Sequence, residues 1–353
     1  MRLTVGSLLV ALCSSLPLAG ADPALVNLAR PDVNFVMGIH VSKIASSPLI
    51  AEAMGEAQQT KPDWDALFGL LGPQPFRYLD EIVISARLDP ESESKKPENL
   101  LIVARGLFGD RGFSDILCTG GCDREVYKDF EILRAQPKND AEPMFFSFLD
   151  SQYAVLGKRR EVEGAIDRRV GETQSIFSDA IQEGMDRLGN YDIWLAAKAS
   201  SLNAPHGQDE DGPGQLAAMA ASKIDGFGLG FGFGKDVELA LELRSVSPEA
   251  AKQLFDMAQG FLAMMKAGKA EPDTQQMLER LRLRHEGSVI MASMRIPEAE
   301  VRRQLHERAA KHRQELAAEA AAPPLSRPRR EGGIRIYGLK EKPVEVPTTT
   351  IQK

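Results

Sequence analysis

The chain has 353 residues, of which 43% are hydrophobic and 26% are charged. This composition is typical of a folded globular protein and excludes a chain that is disordered throughout. The net charge of −7 is unevenly distributed, because residues 301–353 contain 12 lysines and arginines against 6 acidic residues. The acidic body argues against nucleic acid as a partner. The basic tail is either a solvated segment or a weak contact with an anionic envelope surface.

The first 21 residues have the pattern of a secretory signal peptide. The chain starts with a positive charge, residues 3–16 are mostly apolar, and Ala19-Gly20-Ala21 has the small-x-small form of a cleavage site. We therefore expect an exported protein, periplasmic or extracellular, that is cleaved after Ala21 and begins at Asp22. The alternatives are an uncleaved anchor and a lipoprotein modified at Cys13, which Leu12 disfavours because a lipobox has a small residue there.

The first half of the mature chain predicts a series of strands with a few helices. Residues 33–41 have the pattern of a buried strand. Ser47-Pro48 begins a helix, since serine is a good N-cap and proline fits the first helical position. Further strands are predicted at 79–88, 100–108, 126–135, 144–149 and 153–156, with a short helix or turn at 113–118 and a helix at 160–169.

The second half repeats this order. The predicted strands are 192–198, 224–234, 237–243, 277–285 and 289–296. Ser247-Pro248 begins one helix, and a second begins at Pro297 and continues through Ala322. Residues 203–215 form a polar insertion, 334–339 alternate like a short strand, and 343–353 are expected to be disordered.

The shared order of elements predicts an internal duplication. We expect an α+β fold of two similar halves, each of mainly antiparallel sheet with helices packed on one face, plus a C-terminal helix and tail. The predicted segments are a signal peptide at 1–21, a first repeat at 22–170, a second repeat with the C-terminal helix at 171–322, and a basic, partly disordered tail at 323–353.

A strand with glycine at every second position is the most unusual internal feature. The five glycines are Gly226, Gly228, Gly230, Gly232 and Gly234. A period of two places them on one face of a strand, and a bare face indicates that something approaches the backbone closely. Either a helix or second sheet packs there, or the face is a groove for an apolar small-molecule ligand. The spacing matches neither a dinucleotide fingerprint nor a phosphate-binding loop.

The mature chain has two cysteines, Cys118 and Cys122, separated by Thr-Gly-Gly. In an exported protein a close pair predicts a disulfide. Free thiols, a redox couple and a soft-metal site are the alternatives.

The sequence assigns no catalytic residue, metal ligand or cofactor. Histidines at 40, 206, 285, 306 and 312 lack a zinc-binding spacing. The chain has no G-x-S-x-G motif of a serine hydrolase, and no pair of carboxylates stands out as an acid and base.

Three short motifs resemble a group of uncharacterised exported bacterial proteins with a duplicated α+β unit. They are Val36–Val41 with Ser46-Ser-Pro48, Tyr153–Gly157 with Val162–Asp167, and Ile334–Leu339. The resemblance implies a duplicated α+β exported protein and no activity.

The leading hypothesis is a non-enzymatic exported protein that binds another protein or an apolar small-molecule ligand, with a possible groove at 226–234. One alternative is an envelope structural or assembly factor that acts through residues 297–339. Another is a hydrolase without a recognisable motif.

Overall fold

The computed structural model describes residues 20–52, 78–89, 97–109, 122–135, 142–201, 220–268 and 272–321. The predicted disulfide partner Cys118, the short helix at 113–118, the insertion at 203–215 and the tail at 323–353 lie outside them. The residues up to Leu305 form one compact unit, and a second unit begins at His306.

Twelve strands form the described sheet. They are β1 Phe35–Ile39, β2 Leu79–Arg87, β3 Glu98–Gly106, β4 Cys122–Tyr127, β5 Phe130–Ala135, β6 Met144–Phe148, β7 Tyr153–Gly157, β8 Ile193–Lys198, β9 Ile224–Phe233, β10 Asp236–Ser245, β11 Arg282–Glu286 and β12 Val289–Pro297. The helices are α1 Pro23–Leu28, α2 Val41–Ser46, α3 Arg159–Arg169, α4 Asp179–Leu188, α5 Pro248–Ala267, α6 Pro272–Arg280 and α7 Glu298–Ala321. The predicted α+β class is confirmed.

The strands form a single antiparallel sheet in the order β11-β12-β10-β9-β8-β1-β2-β3-β7-β6-β5-β4. β1 and β8 pair at the junction between the halves. Outward from that pair, the first half runs β1-β2-β3-β7-β6 and the second runs β8-β9-β10-β12-β11, so the positions correspond one to one. This order fits the predicted duplication, and two further strands, β5 and β4, extend the first half.

The main core lies between the sheet and helices α1, α3 and α4. Alternation along the strands directs Val36, Val83, Val103, Val155 and Trp194 to this face, where all are at most 1% exposed. The helices contribute the apolar residues Leu25, Leu28, Val162, Ile166, Ile181, Met185 and Leu188. Helix α5 packs on the opposite face instead, beside Leu243 and Ile290.

Two predicted elements differ from the structure. The strand predicted at 126–135 is a hairpin of β4 and β5, because Lys128 and Asp129 adopt positive φ angles of 47° and 68° and make a two-residue turn. The strand predicted from residue 277 begins at Arg282, because Met277 belongs to α6.

The central β1–β8 pair depends on a glycine opposite a tryptophan. Gly38 is in register with Trp194, which is fully buried. A Cβ atom on Gly38 would lie 2.2 Å from two atoms of the indole ring. Any larger residue at position 38 must therefore displace the ring or separate the strands.

We predict that Gly38→Ala lowers the free energy of unfolding by about 2 kcal/mol or more, because overpacked cores are destabilised by about 1–3 kcal/mol. Gly234→Ala is the control, since a Cβ there meets nothing within 4 Å, and it should change stability by less than about 0.5 kcal/mol. Urea denaturation measures both. Equal effects of the two substitutions would contradict the role given to the Gly38–Trp194 contact.

Candidate functional site

The glycine face of β9 is covered by α4 and the residues that follow it. A Cβ atom on Gly226 would lie 2.9 Å from Cβ of Ala180, and one on Gly228 would lie 2.4 Å from Cδ1 of Leu188. A Cβ on Gly230 would lie 2.6 Å from the ring of Tyr191. The face is therefore covered by α4 at Gly226 and Gly228 and by Tyr191 at Gly230, and the groove for an apolar ligand considered for these positions is filled by the chain itself.

The last two glycines of the series are less enclosed. A Cβ on Gly232 would be 3.6 Å from Glu238 and 3.7 Å from Tyr191, which are ordinary contacts, and Gly234 is exposed. Glycine is therefore required only at Gly226, Gly228 and Gly230. There the missing side chains allow α4 and Tyr191 to lie directly on the strand.

A buried ion pair fastens α4 to the sheet. Nε of Arg187 on α4 donates to both carboxylate oxygens of Glu242 on β10, at 2.9 and 3.0 Å. Glu242 is 5% exposed. Burial raises the pKa of Glu242, and the Arg187 guanidinium partly opposes that rise by favouring the ionised form. The pair thus satisfies a carboxylate that the sheet would otherwise hold without a counter-charge.

We predict that Gly228→Ala destabilises the protein by about 1–3 kcal/mol, because the added methyl overlaps Leu188 beneath α4. Gly232→Ala on the same strand should be neutral or stabilising by up to about 1 kcal/mol, since the alanine fits and restricts the unfolded chain. Urea denaturation compares the two variants. If Gly228→Ala is tolerated as well as Gly232→Ala, α4 does not press on the glycine face.

We predict that Arg187→Met costs about 3 kcal/mol of stability at pH 7, because it leaves the Glu242 carboxylate buried without its partner. The pKa of Glu242 is already raised by burial in the wild-type protein, and Arg187→Met removes a group that lowers it, so we expect a larger rise in the variant. The loss should therefore be full above the raised pKa and should shrink as the pH falls toward the ordinary glutamate value. Urea denaturation at pH 4 and 7 measures it, with Arg295→Met in the exposed Arg295–Glu238 pair as the control. A loss that is independent of pH would contradict this assignment.

The opposite face of β9 is apolar. Phe227, Leu229, Phe231 and Phe233 are all half-buried. Leu229 stands in register between Leu195 on β8 and Leu241 on β10, and Leu241 is 37% exposed. Apolar residues therefore continue from strand to strand on this side of the sheet.

Helix α5 is anchored to this face at one end only. Ser247 caps it, its hydroxyl accepting from the N–H of Ala250 at 3.2 Å, and Pro248 occupies the first turn. Ala251 and Leu254 are buried against Ile290. Beyond Leu254 the described residues of the helix are exposed or half-buried.

One exposed side of α5 carries large apolar residues. Met257, Phe261 and Met264 are 44, 59 and 64% exposed, and their spacing places them on one side of the helix. Met277 on the neighbouring helix α6 is 40% exposed. These four residues, here called the methionine patch, form the candidate functional site. The signal in the sequence is the run of apolar residues in the second half of α5, whose helical spacing is the same for a buried stripe and for an exposed one.

A second candidate is a network of ionisable groups around Glu81 on β2. His40 Nδ1 lies 3.6 Å from Glu81, and His40 Nε2 lies 2.8 Å from the carbonyl oxygen of Gly189. Arg105 contacts both Glu81 and Asp22. Each member is bonded to another member or to the backbone, which is the arrangement of a structural network rather than of an acid and base aimed at a substrate.

Two further residues considered in the sequence analysis, Cys122 and His285, have the following surroundings. Cys122 begins β4, and its pairing with Cys118 stays a prediction because Cys118 lies outside the described residues. His285 packs on Phe255, with ring centroids 5.6 Å apart.

Within the described ranges, no group of three or more His, Cys, Asp and Glu side chains is placed to hold a metal ion. None of the helices in the described part of the chain is long and apolar enough to cross a membrane.

Comparison with known proteins adds little. No family model matches the chain, and no curated protein matches it in sequence. Among solved structures, crystal form I of TP0453 is similar over 82% of this chain and 98% of that chain, with a TM-score of 0.41 and 9% identity. A similarity at this level identifies no function.

Proposed function

We propose that this is an exported, non-enzymatic interaction protein, processed after Ala21, that binds a partner protein through the methionine patch. The exposure of Met257, Phe261 and Met264 on one side of α5 is the observation that supports the proposal. Exposed apolar residues grouped on one side of a helix mark an interaction surface more often than isolated apolar residues do. Methionine side chains are flexible and polarisable, so they adapt to the shape of an apolar partner.

The charges on α5 favour a protein over a lipid surface. The helix carries two acidic residues, Glu249 and Asp256, and two basic residues, Lys252 and Lys266. Lys252 and Asp256 pair with each other across one turn. Helices that lie on membranes have an excess of lysine and arginine on the polar side, which α5 lacks. An apolar patch surrounded by balanced charges is typical of a protein interface.

We predict that Phe261→Glu combined with Met264→Glu weakens partner binding at least tenfold without changing the melting temperature by more than about 2 °C. Both side chains are largely exposed, so their replacement removes contacts with the partner and few contacts within the protein. Val126→Glu on β4 is the matched control, because Val126 is 77% exposed and lies on a different element.

The partner is obtained by exporting the protein with a photo-crosslinking phenylalanine analogue at position 261, and separately at position 126. A discrete protein adduct from position 261 alone supports the proposal, and its loss with Met264→Glu ties it to the patch. Adducts with lipid only, equal adducts from both positions, or no adduct would contradict it. Intact mass before and after denaturation tests whether a small ligand is bound instead.

A further inference from the structure

Glu81 is a buried carboxylate that faces charged groups from several elements. It is 2% exposed. The Arg105 guanidinium lies 3.5 Å from one of its oxygens, and Nδ1 of His40 lies 3.6 Å from the other. Arg105 also pairs with the carboxylate of Asp22, which accepts from the hydroxyl of Tyr153 at 3.4 Å.

The permanent charges of this group do not balance. Glu81 and Asp22 supply two negative charges, and Arg105 supplies one positive charge. His40 is a cation only when it is protonated. Among the described residues around Glu81, the group is therefore one permanent positive charge short, and an uncompensated charge in a buried position is strongly destabilising.

The backbone nitrogen of Asp22 completes the site. It donates to Oε1 of Glu81 at 3.3 Å. This nitrogen belongs to the peptide bond between Ala21 and Asp22, which is the bond that the small-x-small pattern marks for cleavage. Hydrolysis of that bond adds one water, leaves a carboxylate on Ala21 and leaves an amine on Asp22 that takes up a proton. The same nitrogen then carries a positive charge.

We propose that the Glu81 pocket is the binding site for the N-terminal ammonium group that processing creates on Asp22. The site is complete only in the mature chain, whose ammonium supplies the missing counter-charge to Glu81. This inference rests on the proposed export and processing and is independent of the methionine patch.

Two other effects act on a charge at this position. A positive charge at a helix N-terminus is unfavourable, and here the helix, α1, has only six residues. Burial raises the pKa of Glu81, whereas His40, the hydrogen bond from the Asp22 nitrogen and the Arg105 guanidinium lower it. An ammonium group at the same place strengthens the favourable contribution, because it adds a positive charge directly to the donor of a bond that the Glu81 carboxylate already accepts.

The position of the cut decides whether the pair forms. Consecutive residues are about 3.8 Å apart along the chain. Cleavage one residue earlier would put the ammonium on Ala21, whose nitrogen lies beside Gly189 instead of Glu81. The amide of Asp22 would then remain neutral, and the charge of the group would stay unbalanced.

Four proteins distinguish the effect of the ammonium charge on Asp22 from the effect of losing the contacts of Gly20 and Ala21. They are the chain beginning at Asp22, the chain beginning at Gly20, and the Glu81→Gln variant of each, all released from a fusion by a protease that leaves no extra residue. We expect the coupling between the free Asp22 amine and Glu81 to be at least tenfold in the folding equilibrium constant. Glu161→Gln, which removes a different buried carboxylate paired with Arg30, should affect both chain lengths equally.

The ammonium itself gives a second measurement that needs no variant. Its pKa in the mature wild-type protein, followed by NMR of the labelled α-amino group, should lie at least one unit above the ordinary value of about 7.7–8.0. Because the folded pKa is raised, the extra stability of the mature chain should be complete below about pH 8. It should disappear as the pH rises through the raised value. Asp22, Glu81, His40, Arg105 and Tyr153 face this nitrogen or its partner, and the Gln variant isolates Glu81 among them.

A coupling below twofold, or an α-amino pKa at its ordinary value, would overturn the inference and leave the proposed export intact. The intact mass of the exported protein distinguishes the two. A chain that begins at Asp22 supports processing after Ala21, and a chain that begins elsewhere would overturn both the processing and the pairing.

Discussion

The close approach of β1 and β8 is the constraint on which the rest of the sheet depends. These two strands join the halves of the chain, and their register is set where the indole of Trp194 fills the space that Gly38 leaves open. Every other strand is placed by pairing outward from them. A shift of either strand by one residue would turn its inward side chain, Val36 or Trp194, away from the core and disrupt the surface on which α1, α3 and α4 pack.

Glycines also allow close packing on β9, where the absence of side chains lets α4 lie directly on the strand. Gly184 within α4 faces Ala196 in the same way, since a Cβ on Gly184 would lie 2.8 Å from that methyl group. Small residues on both the helix and the sheet bring the backbones together. The ion pair between Arg187 and Glu242 then fixes where along the sheet the helix rests.

Many of the strands and helices could be predicted because local sequence patterns determine them. The period of two along β9, the proline and serine that begin α5, and the two-strand hairpin of β6 and β7 are all visible in the sequence. Helix α4 was missed, although Ile181, Met185 and Leu188 have helical spacing. Gly184 interrupts that short apolar pattern. The reason for a glycine at this position is its contact with Ala196 on β8, which only the folded structure shows.

The candidate site was less predictable for a different reason. Whether Phe261 and Met264 are buried depends on what packs against them, and the apolar pattern of α5 is the same in either case. The polar contacts join positions that are far apart in the sequence. Arg187 is 55 positions from Glu242, and Asp22 is 59 positions from Glu81 and 83 from Arg105. Pairings over such separations are set by the strand order, which a local pattern does not contain.

The strand order also leaves two outer strands in the described sheet, β4 and β11. An exposed strand edge is a template on which other chains can add and aggregate. Here β4 carries Asp123, Arg124 and Glu125 in succession, and β11 carries Arg282, Arg284 and Glu286. Both edges therefore present charges of both signs. These charges disfavour pairing with a foreign strand whose own charges are not complementary to them.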